Sequence, residues 1–343
     1  MNAQAGALPA TWSPRPYREG DEQKLLDVLI GAFRKWPTVD IDVPPIDHLR
    51  WKLHSHVLAP EHHMIAEVDG AVASARSLLV QPVRFRGERL LSFQPVDVAV
   101  APQFQGLGLT QRLRLIERSK IRDTYPSTFA IKLYIRSWHP AVRRLRERIG
   151  VGGYAFGNRM IALERPNNAP PPQDAHTSCT LRRVPAFDER IEHFWHEAAQ
   201  PFAFAIDRSV DYLNWRYADA RAGQFAITLA EGGGQLAGYA VTRTSRRVGY
   251  IADLIALPDR LDVARALLSN ALSSFARSDV ATIECWLPIH HPYQPLLRDL
   301  GFSPGQRKLR FRFTPVGATK EQLEPLRKIE TALHLTAGDT DLV

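Results

Sequence analysis

Phe93-Gln94-Pro95-Val96-Asp97-Val98-Ala99-Val100-Ala101-Pro102-Gln103-Phe104-Gln105-Gly106-Leu107-Gly108-Leu109-Thr110 reads as a strand, a turn and the start of a helix. Val96, Val98 and Val100 alternate with Asp97 and Ala99, the period of two that lines one face of a sheet. Pro102 ends the strand because proline cannot donate to a ladder. Beyond the turn, Leu109, Leu113 and Ile116 form one stripe of an amphipathic helix.

A strand, a glycine-bearing turn and a helix start make an anion cradle. Glycine lets the backbone approach a ligand, and the first helical turn carries N–H groups with no intrahelical partner. The helix dipole adds partial positive charge there, which suits a pyrophosphate. Two other glycine motifs are excluded. The phosphate loop of nucleotide hydrolases ends in Gly-Lys-Ser/Thr, and the dinucleotide fingerprint requires a third glycine where Gln111 stands.

The run V-x-V-x-P-Q-x-x-G-x-G followed by an amphipathic helix resembles the acyl-CoA-binding motif of the GNAT superfamily of N-acetyltransferases. That family's second signature, Asn-x6-Tyr-x3-Gly-Phe, aligns with the stretch from His139 to Val151. The glycine, Gly150, and the helical pattern agree, whereas His139, Arg146 and Val151 replace the asparagine, tyrosine and phenylalanine.

The resemblance implies an α/β (α+β) fold in which each unit is a mixed, mostly antiparallel sheet flanked by helices. It also implies a splayed strand gap holding the pantetheine of acetyl-CoA against the backbone of Val98, Ala99 and Val100. The pyrophosphate would lie on the turn Gln103, Gln105, Gly106, Leu107, Gly108, Leu109 and Thr110. The implied reaction is direct attack of a primary amine on the thioester, with an oxyanion held by oriented donors. A base must take the amine proton, and Asp97 is on the right strand, although it also fits a solvent-facing residue of an alternating strand. Arg146 cannot protonate the leaving thiolate as the family's tyrosine does, because guanidinium does not titrate usefully. Tyr134, Ser137 and His139 are the replacements, with His139 equally readable as a capped turn residue.

Composition agrees with a soluble globular protein. The 343 residues are 45% hydrophobic and 23% charged, which suits two domains of ordinary size. Cys179 and Cys285 are too few for a disulfide framework. No basic-then-apolar leader and no run near ~20 apolar residues is seen, so a cytoplasmic protein without a membrane span is expected. The net charge of +8 is spread along the chain, without the block or stripe of a nucleic-acid-binding arm. The densest cluster, Arg143, Arg144, Arg146 and Arg148, reads either as a solvated helix face or as a contact for CoA phosphates. Glu61-His62-His63 and His290-His291 place neighbours on opposite faces of a strand, so no metal is expected.

The chain reads as one unit written twice. Residues 1–12 are an expected disordered lead-in, 13–164 a first domain with the acyl-CoA motif, and 165–177 a Pro-rich linker. Residues 178–316 are an expected degenerate second domain, and 317–343 a C-terminal helix and tail. Ile46-Asp47-His48-Leu49-Arg50-Trp51-Lys52 is answered by Val210-Asp211-Tyr212-Leu213-Asn214-Trp215-Arg216 at an offset of 164. Tyr17-Arg18 is answered by Leu181-Arg182 at the same offset, a specific sign of duplication. The second unit's turn, Leu257 to Asp262, has no glycine and adds Asp259 and Asp262, so CoA is expected in the first unit alone.

Thr319 and Gln322 form a capping box that predicts a last helix from Lys320 to about Leu333. Tyr212 to Tyr217 and the acidic ending resemble two-copy GNAT proteins found with bacterial surface-polysaccharide genes, which implies an amino-sugar acceptor. In a multi-domain group of the superfamily, the enhanced intracellular survival acetyltransferases, the C-terminal carboxylate reaches the active site. The tail here, with Asp339 and Asp341, carries the same expectation. The alternative is a non-catalytic CoA-binding sensor or scaffold, which the replacement of the tyrosine by Arg146 favours.

Overall fold

A computed structural model describes residues 11–54, 62–125, 127–135, 160–170, 177–328 and 330–341. The first part of the chain runs β1 (Ser13–Pro16), α1 (Glu22–Phe33), α2 (Pro45–Leu53), β2 (Met64–Val68), β3 (Ala71–Phe85), β4 (Glu88–Val100), α3 (Leu109–Thr124), β5 (Phe129–Ile135) and β6 (Met160–Pro166). The second part runs β7 (Thr180–Val184), α4 (Arg190–Ala198), β8 (Phe204–Ile206), α5 (Val210–Leu213), β9 (Ala226–Gly232), β10 (Gln235–Ser245) and β11 (Val248–Ala256). It continues through α6 (Leu261–Ala276), β12 (Thr282–Pro288), α7 (Gln294–Asp299), β13 (Ser303–Pro304), β14 (Leu309–Pro315), α8 (Lys320–Leu323) and β15 (Leu333–His334).

These elements build two mixed, mostly antiparallel sheets. The first has the order β1-β2-β3-β4-β5-β14, with β8 on the far end of β3 and β15 on β8. The second has the order β13-β6-β12-β11-β10-β9-β7. The halves of the chain exchange strands: β6, before the Pro-rich segment, pairs with β12, and β14, far beyond it, pairs with β5 over seven residues. Exchange leaves neither sheet complete without the other half of the chain.

The seam is a true core. Leu79, Val83, Val96 and Phe129 of the first sheet pack in one cluster with Phe194, Trp195, Tyr212 and Tyr239 of the second half. At its centre the duplicated tryptophans Trp51 and Trp215 stack at 4.7 Å with planes 15° apart. Each indole N–H donates to the other residue's carbonyl, at 2.9 and 3.4 Å. The repeat seen in sequence is thus a local pseudo-twofold in space. Offset stacking adds roughly 0.5–1.5 kcal/mol beyond the area buried.

Two sequence expectations need correction. The alternation over Val96 to Val100 is broken: Val96 faces Ser77 and Ala99 faces Ala75, so Asp97 and Val98 share one partner position. Asp97 has φ 49°, and this left-handed bulge turns its side chain inward. The helix expected from Lys320 to Leu333 lasts only to Leu323 and tightens into a 3₁₀ turn at Glu324–Arg327. Pro325 supplies no N–H for an α-helical bond, and its ring crowds the preceding turn. The capping box of Thr319 and Gln322 does form.

Candidate functional site: a strand gap, a glycine turn and a buried tail

Strands β4 and β5 pair in parallel only at Ser92↔Phe129 and Phe93↔Ala130. Beyond these pairs β4 runs on to Val100 and β5 to Ile135 without ladder bonds between them, so the strands splay. Val98, Ala99 and Val100 lie along this gap, and the glycine turn lies at its mouth. Gly106 and Gly108 have φ of 84° and 71°, left-handed conformations that favour glycine. A Cβ built on Gly106 would meet nothing within 4 Å, so the backbone there faces open space. The amides of Gln111 and Arg112 are the first to bond back into α3, both on the Gly108 carbonyl. Those of Leu109 and Thr110, at the first two helical positions, have no intrahelical partner by helix geometry. Gln103 and Gln105 are exposed beside them, and Leu107 is half-buried. An extended pantetheine in the gap with its pyrophosphate on the turn fits this geometry.

The Asp97 side chain is 7% exposed, accepting from Lys52 Nζ at 2.9 Å and from Trp36 Nε1 at 2.7 Å. Lys52 comes from α2 and lies 3.9 Å from Asp341 of the C-terminal tail. Sequence reading used Lys52 only as part of the duplicated motif. The signal missed was that both copies put a cation, Lys52 or Arg216, just after the tryptophan. Tyr134 belongs to β5, opposite Arg310 of β14. Its side chain lies outside the described residues, as do Ser137, His139, Arg146 and the rest of the second signature.

The second sheet has the same splay. Strands β11 and β12 pair from Val248↔Thr282 to Ile251↔Cys285 and then separate. The chain's own C-terminal segment packs against both strands there. His334 Nε2 lies 3.6 Å from Asp253 of β11 and its Nδ1 lies 3.1 Å from His291 Nε2. Arg208, fully buried, joins Asp253 at 3.3 Å to Asp339 at 2.9 Å. Burial works against charge on Arg208, but the two carboxylates outweigh it and hold the guanidinium protonated. Burial likewise opposes charge on Asp253, and Arg208 with His334 outweighs it, so its carboxyl stays below the usual range.

From this anchor the tail crosses toward the first sheet. Arg216 donates to the carbonyls of Gly338 and Thr340 at 2.8 and 2.9 Å. Gln81 and Gln94 each donate to the Asp339 carbonyl at 3.2 Å. The tail thereby reaches β3 and β4 of the first sheet at Gln81 and Gln94. Residues 342–343 lie outside the described residues. The second sheet's turn differs as the sequence indicated: Asp262 is tied to Arg260 at 2.8 Å, and Asp259 has φ 61°.

Among the described residues no His, Cys, Asp and Glu group has a metal-binding arrangement, and no helix is long and apolar enough to cross a membrane.

Residues 13–119 match the family model described as acetyltransferase (GNAT) domain. No curated protein matches the chain. Among solved structures, a GCN5-related N-acetyltransferase from Anabaena variabilis is similar with a TM-score of 0.65 at 15% identity, over 89% of this chain and 73% of that one. A conserved protein of Enterococcus faecalis titled a probable N-acyltransferase gives 0.66 at 15% identity, over 92% and 74%. Saccharomyces cerevisiae N-myristoyltransferase with bound myristoyl-CoA gives 0.61 at 13% identity, over 91% and 80%. At these identities the likeness is one of fold.

Proposed function

We propose, from the acetyltransferase (GNAT) domain that residues 13–119 carry, that this chain is an N-acetyltransferase moving acetyl from acetyl-CoA to a primary amine. The observation that carries the reading is the contrast between the two gaps. The gap of the first sheet ends on a glycine turn with open space above Gly106, whereas the gap of the second is filled by the chain's own tail.

In this reading the first unit, residues 13–164, binds the donor. The second, 178–316, serves as a seat for residues 333–341. Backbone groups of Val98 to Val100 hold the pantetheine and polarise the thioester carbonyl, and amides at the helix start hold the pyrophosphate. The neutral amine attacks the carbonyl carbon, and the tetrahedral oxyanion collapses with loss of the CoA thiolate. Asp97 is committed to Lys52 and Trp36, so it acts by fixing Lys52 and the bulge rather than as a free base. Asp341, about a quarter exposed and 3.9 Å from Lys52, is placed to take the amine proton directly or through water. Tyr134 or His139 returns a proton to the thiolate. An amino sugar remains the proposed acceptor, and the cytoplasm the proposed compartment.

Thiol release from acetyl-CoA, measured against amino sugars, polyamines and peptides, tests the reading. Turnover is expected with at least one acceptor. His139→Ala or Tyr134→Phe should lower kcat by ~10²–10⁴-fold with folding intact. CoA binding without turnover on any acceptor would instead support a sensor, the reading that Arg146 in place of the family's tyrosine favours.

A further inference from the structure

Strands β10 and β11 are joined by the two-residue turn Arg246-Arg247, with Ser245 paired to Val248. Both arginines have left-handed backbones, with φ of 47° and 63°. A hairpin turn of this kind favours Asn-Gly, because a residue with a Cβ is disfavoured in that region. Two arginines persist there only where other contacts offset the strain. Arg247 lies 3.1 Å from Asp279 of its own unit. Arg246 reaches across to the first unit.

What Arg246 meets is the 34–44 loop between α1 and α2. Its Nη2 donates to the Thr38 carbonyl at 3.2 Å, and its Nε lies 3.7 Å from the Asp40 carboxylate. Ser245 Oγ donates to the same carboxylate at 2.7 Å, and Arg243 of β10 donates to the Asp40 carbonyl. The Arg243 guanidinium is itself wedged in place. The Phe225 ring centre is 5.1 Å away, and a Cβ on Gly223 would sit 2.8 Å from Nη1. Among the described residues, no backbone N–H of 35–43 bonds to a backbone carbonyl. A segment with so few backbone bonds opens more readily than a helix or a strand.

Trp36 ties this loop to the residues assigned to the amine. Its indole N–H donates to one oxygen of Asp97 at 2.7 Å, and Lys52 donates to the other at 2.9 Å. Two donors on two oxygens fix the carboxylate. The Trp36 ring centre also lies 5.5 Å from Lys52 Nζ, within cation–π range, and the Lys52 side chain is 6% exposed. Helix α2, which carries Lys52, is held to the second unit separately. Trp51 stacks on Trp215, and His48 Nδ1 lies 2.7 Å from the Arg221 carbonyl. Of the two segments around Lys52, the loop is the one that depends on the β10–β11 turn.

We infer that Arg243, Ser245 and Arg246 of the second unit are positioning residues for the reaction of the first. They hold the 34–44 loop, whose Trp36 keeps the Lys52–Asp97 pair in place and, through Lys52, the carboxylate of Asp341. The inference rests on the acyl-transfer reading above. Loosening the loop acts on use of the acceptor and not on acetyl-CoA, because the donor's seat is built from the glycine turn and the start of α3 rather than from residues 34–44.

Ser245→Ala combined with Arg246→Asn removes the turn's bonds to Thr38 and to the Asp40 carboxylate. Asparagine tolerates the left-handed backbone better than arginine, so circular dichroism melts should match the native protein. Asp40→Ala removes the same carboxylate contacts from the loop side. Each variant should raise acetylation of Lys52 by acetic anhydride, read by mass spectrometry, about tenfold, the opening that loss of one charge-assisted bond allows. In thiol release the acceptor kcat/KM should fall about tenfold, with the acetyl-CoA Kd from calorimetry within about threefold. Combining the variants should add little, because they remove shared contacts. Unchanged Lys52 labelling, labelling that rises with normal acceptor kinetics, or an equal loss of acetyl-CoA affinity overturns the inference while leaving acyl transfer standing. If the native protein releases thiol with no acceptor, acyl transfer falls instead, and labelling decides. A rise in both variants, little larger in their combination, sustains the hold on Lys52, and unchanged labelling overturns it.

Discussion

Replacing Arg208 by Met removes the charge on which the tail's anchor depends. In the native protein this guanidinium is fully buried between Asp253 and Asp339, and its Nη1 donates to the Ile206 carbonyl at 2.6 Å. Methionine fills similar space but leaves two carboxylates out of water without their cation. Breaking a buried pair from one side costs about 3–5 kcal/mol. The chain need not unfold to relieve that cost, because a segment can open locally at less than the global unfolding free energy. The cheaper route is release of residues 333–341 from the second gap, which raises the local opening constant by roughly 10²–10⁴-fold. Hydrogen exchange over 333–341 should rise by that order, while β11 amides in the same variant change far less.

The pH dependence has a definite sign. Asp253 is held below its unfolded value in the native protein, so its contribution is present above about pH 4 and lost as pH falls below that. In the variant, burial without a cation favours the protonated acids. The gap between the two proteins should therefore be wider near pH 8 than near pH 5. Unchanged exchange in 333–341, with an unchanged urea midpoint, would refute the claim that Arg208 seats the tail.

Further outcomes follow from single contacts. A Cβ on Gly338 would sit 2.0 Å from the Tyr217 hydroxyl and 2.8 Å from the Ala252 carbonyl, so Gly338→Ala should unseat the tail and raise proteolysis within 333–341. Native-like digestion of that variant would count against the seat. His63 is buried with its pKa held near 4, mainly by burial, against about 6.5 in the unfolded chain. Stability should accordingly be complete above about pH 6.5 and fall as pH drops toward about 4, and His63→Gln should flatten that slope in urea titrations. A slope unchanged in the variant would assign the titration to another group.

Some of this was legible in sequence because it is local. The glycine turn, the stripe of α3 and the repeat ending in Trp51 and Trp215 depend on residues close along the chain, and each forms as read. The bulge at Asp97 was hidden because an inserted residue leaves the valine alternation intact in the letters while shifting it in space. Strand exchange was hidden for a different reason: the period of β6 or β14 says that it is a strand but not which sheet accepts it. His48, Arg208 and Arg243 resemble ordinary surface residues in the sequence. They become buried only when the halves pack and water is excluded. The tail's route through the second gap was hidden too, because it depends on Asp253 and His334 meeting across more than eighty residues.

Calorimetric titration of the intact chain with acetyl-CoA tests the central claim most directly. The first unit has the open glycine turn, whereas the second has Asp259, Asp262 and a gap filled by the tail, so one site per chain is expected. Gly106→Glu puts bulk, negative charge and an unfavourable left-handed residue into the cradle and should remove that binding. Leu261→Glu, at the matching exposed position of the second unit, should leave the affinity unchanged. Two sites per chain, or acetyl-CoA still bound by folded Gly106→Glu protein, would contradict the account.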